Sequence, residues 1–223
     1  MTWWREADKY GVYFNRDELK TRPRAHPPEL RDGGFLSPLD PKGGGTWMTV
    51  NKHGVIVALL NHWHLEAKGT RSRGKLVWNL SEETDTPAVE HKLQTMTLSD
   101  YSPFILMLMD QGNIKRWEWD GKHLTQESPA NPSCSSSFDY ENVKSQRETK
   151  YSELTNETPL ELAHFHTEDT HGAYSVRMLR PDAQTWSRNI ISICSENIHW
   201  TYHEEFPDFE KKAETWKIDL PRS

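Results

Sequence analysis

Six consecutive apolar residues, Val55 to Leu60, leave a strand no polar face to turn toward water. Such a run belongs in the middle of a layered domain, covered on both sides. It forms the second half of "TWMTVNKHGVIVALLNHW", residues 46–63. There, two β-branched runs flank Asn51-Lys52-His53-Gly54, a hairpin connection in which Gly54 is free to take positive φ. One two-sided strand requires further strands beside it and a layer on each face. The rest of the chain supplies candidates for both.

"KYGVYFNR" (9–16) reads as a strand with Tyr10, Val12 and Phe14 on one face, and "GGFLSPLDPKGGG" (33–45) is turn-rich. Helical spacing appears in "GKLVWNLSEE" (74–83) and "TPAVEHKLQTM" (86–96), the latter with Thr86 as N-cap and Pro87 at N1. Strands are expected at 103–109, 113–119 and 122–127, and a loop at 131–137. A helix follows at 138–154, with Tyr140, Val143, Tyr151 and Leu154 on one stripe over a polar solvent face, and 160–166 reads as either a short helix or an extended piece. Three closing strands are read at 173–179, 185–193 and 198–203, before a charged tail, 204–223, that Trp216 and Ile218 either dock or leave to fray. This order is α+β: two largely antiparallel, stacked sheets with helices outside, in one domain spanning 1–223. A doubly wound Rossmann fold is excluded, because neither βαβ alternation nor G-x-G-x-x-G is present.

Composition narrows the function. The 223 residues carry 33 acidic against 27 basic side chains, a net charge of −6, which argues against a nucleic-acid partner. The basic stretch "KGTRSRGK" (68–75) reads as a solvated loop. Only 35% of residues are apolar, but ten Trp, seven Tyr and seven Phe supply enough bulk for a core. No apolar run is long enough to span a membrane, and no signal peptide opens the chain. Two cysteines, Cys134 and Cys194, are too few for a disulfide framework, which places the chain in a reducing cytoplasm. Cys194 reads as buried and inert, and Cys134 as part of a polar loop.

The stretches "FNRDELKTRP" (14–23), "GGGTWMTVNKHGVIVALLN" (43–61) and "GAYSVRMLRPDAQTWSRNII" (172–191) resemble the NRDE family, which includes the transport and Golgi organisation proteins. The resemblance implies an N-terminal-nucleophile hydrolase-like fold, a four-layer αββα sandwich. It also implies hydrolysis of a linear amide bond in a small-molecule substrate, or a related acyl transfer. In such enzymes the free α-amine takes the proton from the first residue's own thiol or hydroxyl. Family members usually begin Met-Cys, whereas this chain begins Met1-Thr2-Trp3-Trp4. Three readings stay open. Three residues, the Cys among them, precede this start in relatives and are missing here. Or Thr2 is itself the nucleophile, although its spacing to Asn15 is about three residues short, roughly 10 Å at strand rise. Or the chain is a non-catalytic relative.

The resemblance further implies that Arg16 and Asp17 tune the nucleophile and hold the amine, with Asn15 beside them. A structural pair of Arg16 with Asp17 at a strand end is the alternative. Glu18 is expected to face solvent, and Arg22-Pro23 to fix the next loop. Asn61 could donate to a developing oxyanion or close its own strand. Gly44 and Gly45 would let backbone approach the site mouth, and Ser135 and Ser136 would line the pocket. Trp47 reads as core. His62 with His64, and His164, His166 and His171 with Glu168 and Asp169, have spacings compatible with a metal, but ordinary histidines are the reading taken and no metal is expected. No cofactor is expected for the hydrolase. The alternative function is a non-enzymatic carrier of haem or another apolar cofactor. The sequence sets no oligomeric state.

Overall fold

The computed structural model describes residues 1–62 and 69–223. In chain order its first elements are β1 (Thr2–Arg5), β2 (Tyr10–Leu19), β3 (His26–Arg31), β4 (Phe35–Leu39), β5 (Met48–Asn51), β6 (Ile56–Asn61), α1 (Arg73–Leu80) and α2 (Thr86–Thr95). Then come β7 (Phe104–Met109), β8 (Ile114–Trp119), β9 (Leu124–Glu127), α3 (Tyr140–Ser152), α4 (Pro159–Phe165), β10 (Ala183–Ile193), β11 (Asn197–Glu204) and β12 (Glu214–Pro221). The strands form two antiparallel sheets, a five-stranded one ordered β1-β2-β10-β11-β12 and a seven-stranded one running β3 to β9 in sequence order. The class is α+β. No helix among the described residues is long and apolar enough to cross a membrane.

Contacts divide the chain into two compact units. The first comprises Met1–Arg24, Asn131–Cys134 and Phe138–Asp219, and so holds most of the five-stranded sheet with α3 and α4. One sheet face carries Tyr13 and Ile190, which pack with Tyr151 of α3, Leu162 and Phe165 of α4, and Val176. Helix α4 is well started: Thr158 Oγ1 and the Glu161 side chain close a capping box, and Pro159 opens the first turn.

The second unit, mainly Ala25–Ala130, is a meander with α1 and α2 on one face. Leu76, Val77 and Leu80 of α1 and Val89 and Leu93 of α2 meet Val57, Leu59, Phe104, Leu106 and Leu108 from the sheet. Val55 to Leu60 are all buried, as a two-sided strand requires. The hairpin between β5 and β6 turns at Gly54, φ 82°, and Asn51 Oδ1 accepts from the backbone N–H groups of His53 and Val55.

Several elements differ from expectation. The 33–45 segment contains strand β4, and β3 holds Pro27 and Pro28, tolerable because β3 is an edge strand. The cap of α2 is Asp85, whose Oδ1 accepts from Ala88 N, while Thr86 is the first helical residue and bonds to Asp110. Helix α3 is not solvated along its whole polar face, since Arg147 is buried on the stripe between Val143 and Tyr151. Residues 173–179 form no strand; Gly172–Tyr174 is a turn of 3₁₀ helix. The backbone that follows bonds to side chains instead of a ladder: Ser175 O accepts from Arg147 and Val176 O from Asn15. The tail is docked, as β12 extends the sheet beside β11 and Trp216 meets the Tyr202 ring edge-on.

Phe104 lies fully inside the second unit, so Phe104→Ala is expected to lower stability by about 3–5 kcal/mol. Leu160→Ala, at a side chain 81% exposed on α4, should change it by less than about 0.5 kcal/mol. Urea unfolding of the two variants checks the contrast.

Candidate active site

Strand β2 alternates, which places Tyr13, Asn15 and Asp17 on the face toward α3 and α4 and Phe14 and Arg16 on the other. Pairing of β1 with β2 sets Thr2 opposite Tyr13, so the Thr2 side chain shares the helix face. Thr2 is wholly buried and its Oγ1 lies 2.9 Å from His166 Nε2. His166 follows the last turn of α4. Its ring stacks on Tyr13, with centroids 5.5 Å apart, and meets the edge of Phe165 at 5.3 Å. Its other nitrogen, Nδ1, lies 2.9 Å from Asn15 Oδ1.

The Asn15 amide fixes the direction of these bonds. Asn15 Nδ2 donates to two carbonyls, Val176 O at 2.9 Å and His166 O at 3.1 Å. A flipped amide would set its oxygen against both, so Oδ1 must face the imidazole. Oδ1 can only accept, so His166 Nδ1 carries the proton and Nε2 is bare. The Thr2 hydroxyl therefore donates to His166 Nε2. The result is a hydroxyl, an imidazole and an orienting amide in line, the geometry by which a base withdraws a hydroxyl proton.

Charges surround this line. Arg147 of α3 donates to Asp17 Oδ2 at 3.2 Å, and Thr185 donates to Asp17 Oδ1 at 2.6 Å. A bulge in β10 between Thr185 and Ser187 makes this possible: it sets Thr185, not Trp186, opposite Asp17. Arg188 pairs in register with Asn15 and donates to Glu205, itself fully buried and also bonded to Arg177. Burial pushes the Glu205 carboxyl up, but the two arginines outweigh it and hold the group below its usual range. His166 is held well below 6.5, by burial first and then by the Met1 α-amino group, Arg147 and Arg188.

The Met1 α-amine donates to Ser133 O at 2.8 Å, and Ser133 N donates back to Met1 O. Asn131 continues this pairing along the β1 edge, exchanging two bonds with the Trp3 backbone. The amine is lowered to about 5, chiefly by burial, which Cys134 and Asp17 oppose and Arg147 aids. Burial pushes the Cys134 thiol up, against the pull of Arg147 and the amine.

Of the residues singled out in the sequence, Thr2 and Asn15 meet on His166, and Asp17 stands two residues along on the same face. Arg16 sits on the opposite face, where it pairs with Glu18 at 3.6 Å. Glu18 is half-buried and also contacts Arg22 at 3.4 Å. Asn61 ends β6 opposite Phe104, in the second unit. Gly44, φ 58°, and Gly45 belong to that unit too; a Cβ on Gly45 would fall 2.4 Å from the Gly74 backbone at the start of α1. Ser135 and Ser136 are half-buried and also grouped with the second unit. His64 lies outside the described residues. His164 and His171 are exposed, unlike His166. The sequence reading did not assign catalytic roles to His166 or Arg147. Asn15 and His166 stand 151 positions apart, and no spacing rule links them.

The fold is thus α+β with two antiparallel sheets, and the hydroxyl of Thr2, the imidazole of His166 and the amide of Asn15 stand in line on one face of the five-stranded sheet. The chain matches the family described as Transport and Golgi organisation 2 over residues 3–204, and it belongs to that family. Among curated proteins nothing matches.

Keeping His166 neutral has a consequence for stability. Its folded pKa lies below the unfolded value near 6.5, so below that pH the unfolded chain binds the extra proton. His203, lowered by burial and Arg188, acts in the same sense, as does the α-amine between 8.0 and about 5. Stability is expected to fall as pH drops from 7.5 to 5.5, read as a lower urea midpoint; an equal or higher midpoint at 5.5 contradicts a neutral His166.

Proposed function

We propose that the chain hydrolyses a linear amide bond, or transfers its acyl group, with Thr2 as nucleophile and His166 as general base. The observation that carries this reading is the 2.9 Å contact of Thr2 Oγ1 with the bare nitrogen of a neutral, oriented imidazole. Thr2 Oγ attacks the substrate carbonyl carbon, and its proton passes to His166 Nε2. When the tetrahedral intermediate collapses, the carbon–nitrogen bond breaks and His166 returns the proton to the leaving amine. Water, deprotonated by the same nitrogen, then cleaves the acyl-threonine ester; another acceptor in its place gives acyl transfer.

This assignment refines the family expectation, in which the α-amine of the first residue is the base. Here the α-amine bonds to Ser133 O, and the nucleophilic hydroxyl bonds to His166. Thr2 is closed to solvent, so turnover includes an opening step at the Met1–Trp3 edge, where the bonds to Asn131 and Ser133 break. The carrier alternative finds no unengaged ring nitrogen at His166, because both make hydrogen bonds.

Release of amine from a panel of N-acyl amino acids and acyl anilides tests the proposal. Thr2→Val and His166→Gln should each lower kcat/KM by about 10²–10⁴-fold, and Thr2→Ser should retain most of it. The acid limb of kcat/KM should fall below pH 6.5, since the base is held neutral there. Full activity in Thr2→Val overturns the assignment.

A further inference from the structure

We infer that Arg147 is a positioning residue, a clamp on Ser175–Val176 that aims the Asn15 amide at His166. Arg147 is buried on α3 and sets two of its nitrogens on one carbonyl: Nε and Nη2 both donate to Ser175 O, at 3.1 and 2.8 Å. The next carbonyl, Val176 O, accepts the 2.9 Å bond from Asn15 Nδ2. The same amide then presents Oδ1 to His166 Nδ1. Two hydrogen-bonded stretches, joined by the covalent Ser175–Val176 backbone, thus run from α3 to the Thr2 hydroxyl. The Ser175–Val176 backbone belongs to no strand, so no ladder holds these two carbonyls in place. Glu168 holds the N–H side of the segment, taking Val176 N on its Oε2 and Arg177 N on its backbone oxygen, and Arg147 grips the Ser175 carbonyl.

The second contact of Arg147, with Asp17, serves a separable purpose. Asp17 is also held by Thr185, so its place does not rest on Arg147 alone. The planar fork of an arginine can seat two N–H groups on one oxygen while reaching a carboxylate. A lysine keeps the charge but offers a point contact. Arg147→Lys therefore removes the clamp and preserves the charge, whereas Asp17→Asn removes the charge pair and preserves the clamp.

The test is ¹⁵N NMR of the histidine rings, with His166 assigned by its loss in His166→Gln. In the wild type, Nδ1 should be the protonated nitrogen and Nε2 the bare one. In Arg147→Lys the two shifts should move toward each other as Asn15 loses its anchor and the second tautomer becomes populated. In Asp17→Asn they should stay. An unchanged pattern in Arg147→Lys, or a shift in Asp17→Asn of equal size, overturns the inference, since a merely structural arginine would alter the melting temperature and leave the tautomer alone. A kinetic arm rests on the proposed function: Arg147→Lys should lower kcat by about 10- to 100-fold with little change in KM. If Thr2→Val keeps full activity, the proposed function falls while the NMR result still decides the role of Arg147.

Discussion

The side-chain amide of Asn15 is the constraint on which the site depends. It ties together three separate parts of the first unit: β2, which carries it, the residue after α4, and the irregular segment at Val176. Its two donated bonds determine which way its oxygen points. That oxygen determines which nitrogen of His166 is protonated, and the bare nitrogen determines what the Thr2 hydroxyl can do. Replacing the amide by a carboxylate of the same shape would reverse this logic. A carboxylate cannot donate to Val176 O or His166 O, and it would draw a second proton onto the imidazole.

A neutral orienting group suits the charges nearby. Arg147 and Arg188 both disfavour a cationic His166, and each is itself matched by a carboxylate, Asp17 or Glu205. Buried ions of this kind persist only when their hydrogen bonds are nearly complete. The β10 bulge helps to meet that condition, because it brings the Thr185 hydroxyl to the second oxygen of Asp17. Fold irregularity and charge satisfaction are therefore linked: a regular β10 would leave Trp186 facing Asp17. The same economy of partners explains why Ser175 and Val176 leave the strand conformation that their sequence suggests. Their carbonyls already serve Arg147 and Asn15.

Local physics made much of the fold legible in the sequence. The two-sided run Val55–Leu60, the Gly54 turn and the helices at 86–96 and 138–154 all follow from patterns within a few residues, and all are present. Elements whose shape is set from a distance were not legible. The strand β3 holds two prolines and is possible only because it lies at a sheet edge, a fact of topology. Residues 173–179 have strand composition but lose the ladder to side-chain donors from Asn15 and Arg147. The site divides the same way. Thr2, Asn15 and Asp17 stood out through the Asn-Arg-Asp-Glu motif and the chain start. His166 lay among other histidines of equal promise, and only burial between Tyr13 and Phe165 separates it from His164 and His171. Arg147 reads in sequence as one more charge on a solvated helix. A buried arginine at i+4 between Val143 and Tyr151 could have raised suspicion, since the stripe otherwise has a gap there.

The central claim, that the Thr2 hydroxyl is activated by His166 for attack on an acyl group, is tested most directly by covalent trapping. The intact protein is treated with a β-lactone, which acylates an activated hydroxyl, and the adduct is mapped by tandem mass spectrometry. The account predicts a single stoichiometric acyl ester on Thr2 that is absent from the His166→Gln protein. An adduct confined to Cys134 or to the α-amine of Met1, with Thr2 unmodified, would contradict it.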